Sequence, residues 1–142
     1  MPNLNAINKP VYYNNHPSGV ECREITRHLN NNLGCAFKYV FRYRYKESPW
    51  QDLQKSVNYL TDELVQIEAD VSNKRVLLQP ELHSQIVDDI KKINDFEGLT
   101  IVKVFYSRFV RILVSDQPIV HIKVCIKTLN TLASRLEQYK NV

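Results

Sequence analysis

The sequence predicts a mainly α fold: one compact helical domain of five to six helices behind an extended N-terminal arm. Three observations carry this. Apolar residues recur at intervals of three and four over long stretches, most regularly from Trp50 to Ile67 and from Ile119 to Leu136. Only three glycines occur in 142 residues, too few for a fold built on many tight strand turns. Pro49, Pro80 and Pro118 stand at segment boundaries, where a residue without a backbone N–H fits the first turn of a helix.

Residues 1–17 are rich in Asn and Pro and show no helical period. They read as an extended arm, with Tyr12, Tyr13 and His16 to dock it. A first helix is expected from Ser18, where Ser18 and Glu21 form an S-x-x-E capping box. Cys22, Ile25 and Leu29 give its buried face, and the Asn30-Asn31-Asn32 run ends it, because Asn competes for backbone hydrogen bonds. A second helix runs from about Leu33 to Lys46, with Ala36, Phe37, Val40 and Phe41 inward. Ser48, Pro49 and Gln51 supply an N-cap, a first helical residue and a second capping box for a third helix. The Trp50–Ile67 stripe along that helix is a packing seam, made either with the second helix or with another subunit.

The pattern breaks at residues 71–79 (VSNKRVLLQ), a connector that divides a module at 18–70 from a C-terminal module at 71–142. Pro80 opens a fourth helix with Leu82, Ile86, Ile90 and Ile93 inward and Gly98 as its stop. The β-branched and aromatic content of 99–114 suits a strand. Its polar residues Lys103, Ser107, Arg108 and Arg111 gather on one side only in a helix, so a helix is expected. Asp116-Gln117-Pro118 begins the last helix. The two long seams carry more apolar stripe than a small monomer easily buries, and a homo-oligomer is expected, with the C-terminal module serving packing or oligomerisation.

A net charge of +4 and a pI near 9.0 favour anionic partners. Cys22, Cys35 and Cys125 are odd in number and form no C-x-x-C pair, which argues against a zinc knuckle or a disulfide framework. They read as buried thiols in a reducing compartment. The N-terminus lacks the apolar core of a secretory signal, and Lys103, Arg108 and Arg111 interrupt the longest apolar stretch, so neither secretion nor a membrane partner is expected.

There is no G-x-x-x-x-G-K-[ST] loop, no glycine-rich cradle, no H-E-x-x-H and no G-x-S-x-G, and the four histidines are scattered. Asp62, Glu63, Glu68, Asp70, Asp88 and Asp89 could converge on Mg²⁺ as carboxylate pairs do in all-helical pyrophosphohydrolases. Gln66 stands three residues after Glu63, however, and a second pair is missing, so no metal ligand is expected. One constellation remains. Lys38, Arg42 and Lys46 lie at i, i+4 and i+8, a cationic stripe with Tyr39 and Tyr43 beside it. Stacked cations repel unless solvated or paired with anions, which leaves two readings: a solvated face, or a phosphate-binding face with rings to stack a base.

Over about residues 11–66 the chain resembles the SaV-like family of small phage proteins, which includes a phage early nucleotide kinase lacking a P-loop. The resemblance rests on His16; Glu21-Cys22; Gly34-Cys35-Ala36-Phe37-Lys38-Tyr39-Val40-Phe41-Arg42; Lys46; and Asp52-Leu53-Gln54-Lys55-Ser56-Val57-Asn58-Tyr59-Leu60. Cys35 stands where the family usually has Asn, Tyr43 where a small residue follows the Arg, and Pro17 where an aromatic follows the His. The resemblance implies a phage protein in the cytoplasm of an infected bacterial cell, with residues 18–70 as its nucleotide-handling module. It implies a (deoxy)nucleoside monophosphate kinase-like phosphotransferase, with Lys38 and Arg42 in the catalytic role. Nucleotide contacts would come from His16, Tyr39, Lys46, Asp52, Lys55 and Tyr59. The phosphoryl donor would be a nucleoside triphosphate, and no motif present requires Mg²⁺. The alternatives are a protein that sequesters a nucleotide or nucleotide-derived signal to blunt a host defence, and a host-protein or nucleic-acid interaction module that uses the C-terminal helices with Lys103, Arg108 and Arg111. No recognition motif points to nucleic acid.

Overall fold

The computed structural model describes residues 16–45, 48–70, 72 and 76–140, the last four by backbone alone. Among these residues the chain forms α1 Cys22–Thr26, α2 Asn31–Arg42, α3 Pro49–Ala69, α4 His83–Asp95, α5 Thr100–Val114 and α6 Pro118–Lys140. Short 3-10 helices at Tyr43–Tyr45 and Pro80–Leu82 extend α2 and open α4. The described residues contain no strand, so the fold is mainly α as the periodicity requires, and 100–114 is helical. Most of the expected arm, residues 1–15, lies outside the described residues.

Helix α3 is the centre of the molecule. It packs against α2 on one flank and α6 on the other, α5 lies on α6, α4 on α5, and α1 sits against α2 and α4. Leu53, Val57 and Leu60 of α3 are buried, as are Ile122, Cys125, Leu129 and Leu132 of α6. The two seams that suggested another subunit therefore find much of their cover in one chain. Phe37 of α2 reaches the second half directly, its ring 5.8 Å from that of Tyr106 and 5.3 Å from that of Phe109. Residues on both sides of the 71–79 connector thus share one core, in which Leu77 and Leu78 of the connector are themselves buried. Each fully buried Phe contributes about 1.5–3 kcal/mol, and each aromatic pair about 0.5–1.5 kcal/mol more.

Several helix ends differ from the expected ones. Gly19 has φ +79°, which ends any helical path from Ser18. Ser18 instead closes a turn: its Oγ accepts from the Val20 N–H at 3.1 Å and lies 2.7 Å from His16 Nδ1. Glu21 turns to Arg23 at 3.2 Å rather than capping, so α1 is a five-residue helix. Asn30 starts α2 instead of merely ending α1, its Oδ1 accepting from the Leu33 N–H at 2.9 Å. At α3, Ser48 caps through its backbone carbonyl, which accepts from the Gln51 N–H at 3.1 Å, and the capping box does not form. Helix α4 stops at Asp95, before Gly98, because the N–H groups of Phe96 and Glu97 turn back to the Ile93 and Asn94 carbonyls. Cys22 and Cys125 are buried thiols, and burial pushes both up to about 12. Cys35 is only half-buried.

Candidate functional site

Among the described residues, predicted site residues converge on the α2–α3 pair. Ser56, fully buried on α3, donates to the Ala36 carbonyl of α2 at 2.8 Å. A small residue on each side lets the helices approach closely, and Tyr39 and Tyr59 meet above that contact. Their rings are 6.0 Å apart and nearly parallel, at 14°.

Three cations gather on the Tyr39 ring. Lys38 Nζ is 4.9 Å from its centroid, Arg42 Cζ 4.8 Å and Lys55 Nζ 5.4 Å. All lie within the ~6 Å reach of a cation–π contact. Lys38 and Arg42 come from one stripe of α2, and Lys55 projects from the first half of α3 beside them. Asp52 orders the group from the start of α3. Its carboxylate is almost fully buried and takes two bonds from Arg42, Nε to Oδ2 at 3.2 Å and Nη2 to Oδ1 at 3.4 Å. Bidentate pairing fixes the guanidinium plane, which Lys could not achieve. Among the described residues, neither Lys38 nor Lys55 has a carboxylate within ion-pair reach. The site thus keeps an excess of positive charge.

Beside the cations lies an open depression of about 360 Å³, lined by Tyr39, Lys55, Asn58, Tyr59 and Asp62. The Cys35 thiol, and after it Tyr39, raise the Tyr59 phenol above its ordinary value. The depression has two ends. Lys55 marks a basic end, and Asp62, seven residues or about 10 Å along α3, marks an acidic one.

Of the predicted residues, the structure brings together Lys38, Tyr39, Arg42, Asp52, Lys55 and Tyr59. Lys46 lies outside the described residues. His16 is elsewhere: its ring packs 5.1 Å from Phe41 and 6.4 Å from Phe96. Phe41 is two residues from Tyr39 and so about 200° around α2, which puts His16 across the helix from the aromatic pair. Tyr43, part of the predicted second line, is buried, its hydroxyl 3.1 Å from Arg44. Arg44 also reaches Glu97 at 2.7 Å, the nearly buried carboxylate that accepts from the Leu99 N–H at the start of α5.

Sequence reasoning missed Asn58 as a lining residue and read Asp62 only as a metal candidate. Their i, i+4 spacing on α3, beside Tyr59, was the available signal. Glu63, the other carboxylate considered there, is fully buried against Asn30 and Asn32, at 2.8 and 3.4 Å. The described residues contain no group of three or more His, Cys, Asp or Glu side chains placed to hold a metal ion. Comparison with known protein families, with curated proteins and with solved structures returns no match to this chain.

Proposed function

We propose that this chain is a nucleotide-binding protein, with its site on the α2–α3 face. The observation that carries the reading is the convergence of Lys38, Arg42 and Lys55 on Tyr39, with Tyr59 stacked beside it. The cations hold phosphates by charge-assisted hydrogen bonds, and Asp52 keeps the Arg42 fork in position. Tyr39 is occupied by the cations, so Tyr59 is the platform for a base, and Asn58 and Asp62 offer polar atoms along its edge.

The SaV-like resemblance supplies the reaction: P-loop-free phosphoryl transfer onto a (deoxy)nucleoside monophosphate, in a phage protein acting in the infected cell. A bond forms between an oxygen of the acceptor's phosphate and the donor's γ-phosphorus. The bond to the donor's β-phosphate oxygen breaks, and two diphosphates result. Lys38 and Arg42 neutralise the charge that spreads over the transferred group. The size of the depression favours a second reading. At about 360 Å³ it is near the lower end for ligand pockets and has room for one nucleotide, not for donor and acceptor together. A single chain is thus equipped to sequester one nucleotide, and a transferase needs a second copy to complete the site. A homo-oligomer belongs to this proposal for that reason.

The test is a thermal-shift and calorimetric screen of mono-, di-, tri- and cyclic nucleotides. At least one should raise the melting temperature, and Lys38→Ala and Lys55→Ala should each weaken it about tenfold or more. Tyr59→Ala should remove about 1–3 kcal/mol of binding, whereas Lys92→Ala, at an exposed pair with Asp88, should change nothing. Diphosphate formed from a monophosphate and a triphosphate marks the transferase; intact nucleotide recovered from denatured protein marks sequestration. A screen in which no nucleotide binds overturns both.

A further inference from the structure

The positive charge of this molecule is not spread over it. Residues 100–136, which are α5, its turn and most of α6, carry six Lys or Arg against the single carboxylate of Asp116. The chain as a whole has nineteen cations and fifteen carboxylates, so the remainder holds thirteen against fourteen. The entire basic excess therefore lies on one helical hairpin, whose second helix, α6, packs against α3.

Within the hairpin, Lys103 is turned toward α4, its Nζ donating to the Asn94 carbonyl at 2.9 Å. The other five cations, Arg108, Arg111, Lys123, Lys127 and Arg135, are exposed, and none is in an ion pair among the described residues. Two of them crowd a histidine. Arg108 Nη1 lies 3.3 Å from His121 Nδ1, so the imidazole is the acceptor and is neutral. Burial, then Arg108 and Arg111, hold His121 below its ordinary value, and a protonated ring would add a third like charge there. Lys123 and Lys127, one turn apart on α6, border the groove toward α3, with Asn130 and Ser134 continuing the same line.

We infer that the exposed face of α5 and α6 binds the phosphate backbone of nucleic acid without reading bases. Cations interleaved with amide and hydroxyl groups are the donors that phosphate oxygens take. Lys123, Lys127, Asn130 and Ser134 recur at intervals of three and four along α6 and present such donors along a line, as a polyanion requires. A membrane surface suits this face less: its exposed apolar residues, Val104 and Val120, are isolated and form no insertable stripe. The inference does not depend on the nucleotide site, which lies on the other flank of α3.

The full-length protein is titrated into labelled mixed-sequence duplex DNA, duplex RNA and single-stranded RNA from 50 to 200 mM salt. Binding to at least one should weaken steeply with salt. Arg108→Ala/Arg111→Ala should cut affinity about tenfold and flatten the log–log salt slope by about 1.8 on a duplex. Lys123→Ala/Lys127→Ala should do the same independently, and Lys38→Ala/Lys55→Ala should leave nucleic-acid binding unchanged. Any of the following overturns the inference: no binding at 50 mM salt; both α5–α6 double variants binding as the parent does; loss of binding only in Lys38→Ala/Lys55→Ala; or capture by anionic phosphatidylserine vesicles with none by nucleic acid.

Discussion

At the scale of single residues, His16 shows how one side chain can look like a site and serve the fold. Its Nδ1 receives the Ser18 N–H at 3.1 Å. A backbone N–H can only donate, so the ring is neutral and carries its proton on Nε2. Burial first, then the Arg44 guanidinium, holds His16 below the ordinary 6.5, and Glu97 offsets this only in part. The folded state therefore disfavours the proton. The stability this group contributes is fully present above pH 6.5 and is lost as pH falls through the lowered folded value. Urea unfolding at pH 7.5 and 5.5 should show a larger loss for the parent than for His16→Asn, whose amide oxygen can still accept from Ser18. Equal losses in both would remove His16 as the cause.

At the scale of elements, periodicity was legible and termination was not. The Trp50–Ile67 stripe identifies α3 because a helical seam is a local property of the chain, repeated over several turns. Lys38 and Arg42 likewise share a stripe by spacing alone, with Tyr39 beside it. Helix starts depend on which competing partner a short polar side chain takes, and sequence does not rank them. Ser18 chose His16 and Val20 over α1. Asn30 chose α2 because Glu63, thirty-three residues on, receives its amide at 2.8 Å and leaves Oδ1 aimed at the Leu33 N–H. That clasp joins the α1–α2 corner to the middle of α3. Glu63→Ala should strand two half-buried amides and loosen a helix cap, lowering unfolding free energy by about 1–3 kcal/mol. Chemical denaturation measures it, and a change under about 0.5 kcal/mol, the size of an ordinary surface substitution, would show that the clasp is not structural.

For the whole molecule, the question is whether residues 18–70 are a module in their own right, as the composition break at 71–79 implied. Helix α3 ends at Ala69, before the connector, and helical structure is next described from Pro80. The composition break could not reveal that α3 is covered on its far flank by α6, because that pairing joins elements nearly fifty residues apart in the chain. The site depends on it. Tyr59 and Lys55 are held by α3, and the Leu53, Val57 and Leu60 face of α3 would meet water without α6. On α2, Phe37 would lose Tyr106 and Phe109, its two ring partners from the second half. Opening these four buried apolar side chains at about 1.5–3 kcal/mol each costs about 6–12 kcal/mol, comparable with the about 5–15 kcal/mol by which a domain is ordinarily stable. A fragment ending at residue 70 should therefore show little fixed structure by circular dichroism and proton NMR and should bind no nucleotide. The full chain should unfold in one transition, with tryptophan fluorescence from Trp50 in the first half coinciding with far-ultraviolet ellipticity, most of whose helix lies beyond residue 70. A folded fragment, or two separated transitions, would restore the two-module division and would place the site on the first module alone.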